Sequence, residues 1–141
     1  MPFSHLSSKI NIRIYYEDTD AGGVVYHSRY LNFAERARAE FLRNLSLKQI
    51  SISQEYKIHF VVKELKVNYI GFCKLDDQIQ LLTNLENISR VKLCFKHMFY
   101  KNNQEILRMY VTIYSISDTG KVARMPKSLY HKIINEGKNY G

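Results

Sequence analysis

Tyr15–Tyr30 reads YYEDTDAGGVVYHSRY, and the hydrophobic period changes across it. Upstream, Ile10, Ile12, Ile14 and Tyr16 alternate with polar neighbours, the period-2 pattern of a half-buried strand. Downstream, Tyr30, Phe33, Ala34, Ala37 and Phe41 recur at helical spacing, leaving Glu35, Arg36, Arg38, Glu40 and Arg43 to the opposite face. Small Ala34 and Ala37 would let this helix approach a sheet closely. Ser28 is positioned as an N-cap. Arg36/Glu40 and Glu40/Arg43 are one-turn neighbours able to pair on the exposed face. Between strand and helix, Glu17–Gly23 is made almost wholly of turn formers, and Gly22-Gly23 admit backbone conformations closed to other residues.

Beyond a short second helix expected over 46–54, the chain turns to strands. Ile58, Phe60 and Val62 alternate; Leu65, Val67 and Tyr69 resume with the phase slipped by one, which predicts a bulge near Lys63-Glu64. Leu75-Asp76-Asp77 is a turn. Ile79–Leu85, Val91–Phe99 and 105–117 are further strands, the last two joined by a Lys101-Asn102-Asn103-Gln104 hairpin and the last closed by Ser117–Gly120. Pro126 precedes a helix predicted over 127–136. One long helix against a sheet whose short turns imply antiparallel pairing is an α+β architecture, read as a single domain over 1–141. Its free sheet edges predict a homo-oligomer.

Apolar residues make up 45% and charged residues 24% of the 141, a globular balance. No apolar run approaches the roughly 20 residues of a bilayer span, and Met1–Ser8 lacks the pattern of a secretory signal. The reading is cytoplasmic, with Cys73 and Cys94 as reduced thiols. A net charge of +8 favours anionic partners such as a phosphorylated substrate, nucleic acid or anionic lipid. The basic residues of the C-terminal stretch, Lys121, Arg124, Lys127, Lys132 and Lys138, serve equally well as a solvated tail. The five histidines show no metal spacing with one another or with the cysteines, so no metal site is expected. No nucleophile elbow, P-loop or dinucleotide glycine pattern occurs.

The acids Glu17, Asp18 and Asp20, the Gly-Gly pair and His27 all sit on the connection feeding the helix. Free amides and the positive dipole end at a helix start favour a developing negative charge. A carboxylate held there can attack a carbonyl or deprotonate water while the carbonyl oxygen becomes anionic. The same acids also suit capping and turn formation, so the pattern alone leaves both readings open.

The segment Asp20, Gly22-Gly23, Val24-Val25-Tyr26-His27 and Tyr30 resembles the signature of the 4-hydroxybenzoyl-CoA thioesterase-like hot-dog superfamily, and within it the Tol–Pal-associated bacterial acyl-CoA thioesterases of the YbgC type. The likeness continues more weakly through Phe60-Val61-Val62, Tyr69, Leu75-Asp76-Asp77 and Pro126-Lys127. It implies a hot-dog fold, a curved antiparallel sheet around one central helix, and hydrolysis of acyl-CoA to CoA and a carboxylic acid. It implies no metal or redox cofactor, coenzyme A being part of the substrate, and active sites at the subunit interfaces of a homodimer or homotetramer. The essential aspartate maps to Asp20, as nucleophile or general base. His27 would orient substrate or water, a backbone amide near it would polarise the thioester carbonyl, and Tyr16 would stand near the aspartate. Asp18 matches a motif acid and is read as loop structure. Gly71-Phe72-Cys73-Lys74 departs from the small, proline-containing stretch common in the family and bears on acyl-chain preference.

Two other readings remain. A hot-dog dehydratase would need an acid on the helix facing the histidine, where Glu35 or Glu40 could serve. A basic binding module would rest on the +8 charge, but no nucleic-acid motif supports it and none is expected as a partner. Weak association with the inner membrane would fit long acyl chains, which partition there.

Overall fold

The computed structural model describes residues 7–140, with side chains through residue 135. Five strands, β1 (Ser7–Arg13), β2 (His59–Tyr69), β3 (Gln78–Ile88), β4 (Lys92–Lys101) and β5 (Gln104–Ile116), form one antiparallel sheet in the order β1-β3-β4-β5-β2. Helix α1 (Arg29–Asn44) packs on it, followed by α2 (Gln49–Tyr56) and, after β5, α3 (Lys127–Tyr140). This is the α+β arrangement expected of a hot-dog domain.

Strict alternation places Ile79, Leu81 and Leu85 of β3, Leu93, Phe95 and Phe99 of β4, and Leu107, Met109, Val111 and Ile113 of β5 in the core. From α1, Tyr30, Phe33, Ala34, Ala37 and Phe41 are buried against this surface. Phe41 meets Phe95 edge-on at 5.2 Å and Tyr30 meets Phe99 at 5.7 Å, the favoured geometry of aromatic rings. The β4–β5 hairpin turns at Asn102 and Asn103, both at positive φ (50° and 65°), which asparagine tolerates better than most residues. The expected bulge lies between Val62 and Glu64.

Several expectations are corrected. β1 ends at Arg13: Ile14 is buried and bonded to Asp77, while Tyr16 enters a 3₁₀ turn and is 81% exposed. α2 begins three residues later than expected and α3 runs four residues further. No strand partners could be assigned from the turns alone, and β2 pairs with β5 and not with β3, the next strand in sequence. Residues 70–77 carry the chain across, so β1 and β2 occupy opposite edges. Arg38, expected on the solvent face of α1, is buried. It falls four residues after Ala34 and three before Phe41, on the apolar stripe. Arg36 lies over the Phe33 ring at 5.7 Å instead of pairing with Glu40, which pairs with Arg43.

Behind α1, His97 is fully buried on the inward face of β4, and burial together with the neighbouring Arg38 charge pulls its pKa down to about 3. The ring is therefore neutral at physiological pH. An unfolded chain protonates this histidine near 6.5, the folded chain only near 3. Between these values the unfolded state holds the extra proton, so acidification through that window favours unfolding and the contribution is complete above it. A pH series of urea midpoints should show a steeper loss from pH 6.5 downward in the wild type than in His97→Gln, whose amide oxygen can still accept from Arg38.

Candidate active site

Turn chemistry and one buried carboxylate shape the loop feeding α1. Asp18 is buried; its Oδ1 accepts from Arg29 Nε at 2.6 Å and its Oδ2 from the Tyr15 amide at 2.8 Å. Its carbonyl accepts from the Tyr26 amide at 3.0 Å. Asp18 thus ties the 3₁₀ turn over Tyr16–Asp18 to the start of α1, a structural task. Thr19 bridges Val25, Val24 bridges Lys74, and the Val25 amide donates to the Cys73 carbonyl at 2.8 Å, which straps the loop to segment 70–77. Removing a buried carboxylate that serves a cation and an amide costs about 2–4 kcal/mol. Asp18→Ala should lose that much in equilibrium denaturation.

Asp20 is exposed at the outer end of this hairpin-like loop. Its Oδ1 accepts from the Gly22 amide at 2.8 Å, and its carbonyl accepts from Gly23, which takes φ +86° to close the turn. Oδ2 accepts no hydrogen bond among the described residues. The carboxylate is therefore oriented through one oxygen and open at the other. Seven residues on, His27 is exposed, with its ring 4.5 Å from that of Tyr26. The Tyr69 hydroxyl donates to the His27 carbonyl at 2.8 Å, fixing the approach to α1 from the end of β2. The amides of His27 and Ser28 donate to no group among the described residues. Ser28 occupies the cap position in an α-helical conformation with no side-chain cap bond, contrary to expectation. The Arg29 amide is met instead by the Tyr26 carbonyl at 2.8 Å.

Asp20 and His27 thus share the loop that leads to the uncommitted amides at the helix start, with Asp20 paired to Val24 toward its tip, and no hydrogen bond joins Asp20, His27 and Tyr16 to one another. Tyr16 offers its carbonyl to the amide and hydroxyl of Thr19 and points its side chain to solvent. Two of the larger concavities border the helices. One, of about 560 Å³, runs between β1 and α1; the other, of about 360 Å³, lies under α2 beside β2. Neither includes Asp20, His27 or Tyr16. Glu40 is committed to Arg43 and Glu35 lines the second cavity, so neither shows the contact with His27 that a dehydratase would need.

Close to the loop, Cys73 is fully buried, and burial pushes its thiol up to about 11, so it stays protonated and unsuited to attack. Tyr30 beside it is likewise held protonated, chiefly by burial. Both cysteines are free thiols. Among the described residues no three metal-ligating side chains come together, and no helix is long and apolar enough to cross a membrane. Sequence reasoning missed Arg29. Its signal was a cation in the first turn of a helix, where the dipole disfavours it unless a carboxylate such as Asp18 is supplied.

A sheet closed over one helix, with an acid-bearing loop entering that helix, defines the protein as a hot-dog domain. Solved structures agree. A probable thioesterase from Bartonella henselae superposes with a TM-score of 0.81 at 28% identity, covering 85% of this chain and 99% of that one. A DHNA-CoA thioesterase from Staphylococcus aureus matches in fold with a TM-score of 0.86 at 23% identity, covering 94% and 91%. The sequence matches the Thioesterase-like superfamily over residues 15–133, and the chain belongs to that family. It is 40% identical over 111 residues to the acyl-CoA thioesterase YbgC of Haemophilus influenzae, covering 79% of this chain and 81% of that protein. It is 35% identical over 127 residues to the acyl-CoA thioester hydrolase YbgC of Escherichia coli, covering 90% and 92%.

Proposed function

We propose that this chain hydrolyses acyl-CoA thioesters to CoA and a carboxylic acid, with Asp20 as the catalytic carboxylate. The supporting observation is the pairing of one free carboxylate oxygen with two uncommitted amides on the same loop. A thioester carbonyl held by the amides of His27 and Ser28 gains stabilisation as its oxygen becomes anionic. Oδ2 of Asp20 either adds to the carbonyl carbon or takes a proton from the water that does so. The C–S bond breaks, CoA leaves as thiolate and takes up a proton, and water supplies the oxygen gained by the acid. His27 orients water or substrate beside this carboxylate, and Tyr16 lies on the flanking turn. The reading requires neither a metal nor a cofactor beyond the CoA of the substrate, whose phosphates suit a chain of net charge +8.

One such domain spans the chain, and the working unit is a dimer. β2 is a sheet edge on which Val61, Val62 and Leu65 are 39%, 52% and 41% exposed. An apolar strand edge of this kind is covered when a second copy adds its own β2 antiparallel, extending the sheet across both protomers. The reading places the enzyme in the cytoplasm, with access to the inner membrane for long acyl chains.

Thiol release measured over acyl-CoA thioesters from short to long chains tests the reading. Hydrolysis of at least part of the series that vanishes in Asp20→Ala supports it. Formation of an enoyl product without thiol release, or steeply salt-dependent DNA or lipid binding with no hydrolysis, overturns it.

A further inference from the structure

The cavity under α2 holds a buried guanidinium that makes no ion pair among the described residues. Arg38 is 8% exposed, and the only hydrogen bond its side chain makes among the described residues is from Nη1 to His97 Nε2, at 3.0 Å. Because an arginine has no acceptor, His97 Nε2 must accept, so Nδ1 carries the ring proton and donates to Thr83 Oγ1 at 2.9 Å. Arg38's partner is thus a neutral ring, in keeping with the burial and the neighbouring positive charge that hold its pKa down. No carboxylate among the described residues lies within ion-pair distance of the guanidinium; Glu35, one turn earlier, acts on it only through space and is itself exposed. Desolvation outweighs the opposing pull of the Glu35 charge and lowers the Arg38 pKa to about 10. The remaining N–H groups of Arg38 are not sealed in the core, and Arg38 lines the 360 Å³ cavity, a volume in the range of small-ligand pockets. Ile52, Phe60 and Ile113 supply apolar walls; Ser53 and His59 stand beside them, His59 held by Asp118 through Nε2 at 2.6 Å. Glu35 and Gln49 stand on the same lining, but Glu35 makes no ion pair with Arg38, so the cavity joins apolar walls to a buried guanidinium able to take the carboxylate of an otherwise apolar body.

We propose that Arg38 is a specificity-determining residue that binds a terminal carboxylate on the acyl group, so that the substrates include the mono-CoA thioesters of dicarboxylic acids. This rests on the hydrolase reading and on the β2-edge dimer. In an antiparallel pairing of β2 with its copy, the His59 end of one strand lies beside the Tyr69 end of the other. Tyr69 is bonded to the His27 carbonyl, so the Arg38 cavity of one protomer faces the acyl site of its partner, and the partner copy completes the site.

The test compares kcat/KM for matched pairs, plain acyl-CoA against the dicarboxylic mono-CoA thioester of equal carbon number, over a range of lengths. The wild type should show a maximum in the dicarboxylic-to-plain ratio at one length. Arg38→Met should lower that ratio at least about tenfold, the scale of one charge-assisted bond pair, and Arg38→Lys should lower it less. Ser53→Asp adds a second carboxylate to the lining that holds Arg38 and should lower the ratio equally without removing Arg38, which keeps the test valid if Arg38→Met does not fold. A wild-type ratio that only falls with added charge at every length overturns the proposal. So does a ratio unchanged in Ser53→Asp, or an equal rise in KM for both partners of a pair in Arg38→Met, which would mark a CoA contact instead. Absence of thiol release from any thioester overturns the hydrolase reading itself, a separate failure.

Discussion

Asp20→Asn is expected to lower kcat/KM for acyl-CoA hydrolysis by at least about a thousandfold, within the range for loss of a catalytic acid–base or nucleophile. The substitution keeps the side-chain oxygen that accepts from the Gly22 amide, so the loop turn survives and the change falls on the chemistry. An amide oxygen neither attacks a thioester nor takes a proton from water at neutral pH. Because Asp20 is exposed and carries no buried partner, its far-ultraviolet spectrum and denaturation midpoint should match the wild type within about 0.5 kcal/mol, the usual scale of surface changes. Turnover within tenfold of wild type would show that another group is the base. Asp18→Ala is the useful contrast. That variant should lose stability first and activity through a loosened loop.

The second large effect is expected at the sheet edge. Leu65 lies next to the midpoint of β2, so in an antiparallel pair related by a two-fold axis it comes close to its own copy. Val62→Lys with Leu65→Lys therefore sets like charges against one another on a strand edge, the device that isolates natural edge strands. Light scattering should report a single chain of 16.7 kDa in place of twice that mass, and kcat/KM should fall at least about tenfold as the interfacial site is lost. A double variant that remains dimeric, or a monomer that keeps full activity, would refute the role given to β2.

Much of this fold could be read from period alone. Alternation in Ile79–Leu85 and Val91–Phe99 and the helical spacing from Tyr30 to Phe41 report local geometry, and each element formed where the pattern lies. The bulge at Lys63 was legible because a phase slip is itself a local signal. The partner of β2 was not, since an alternating strand states which face is buried and is silent on which strand lies beside it. Arg38 was misplaced because charge outweighed position; its spacing from Ala34 and Phe41 held the better information. In the candidate site, the acid, the glycines and His27 were recognisable as a linear string. The division of labour between Asp18 and Asp20 was not, because two carboxylates two residues apart differ only in what the folded loop brings to them.

The strand order also governs how the molecule can be made. β3, β4 and β5 form a consecutive meander of short-range contacts, while β1 and β2 both dock onto its flanks from earlier in the sequence. During synthesis the first half of the chain therefore leaves the ribosome with no sheet to join, and α1 with no surface to cover. Local hairpins close faster than distant pairings, so the meander is the template, and nascent chains halted before residue 104 would offer aggregation-prone segments to chaperones.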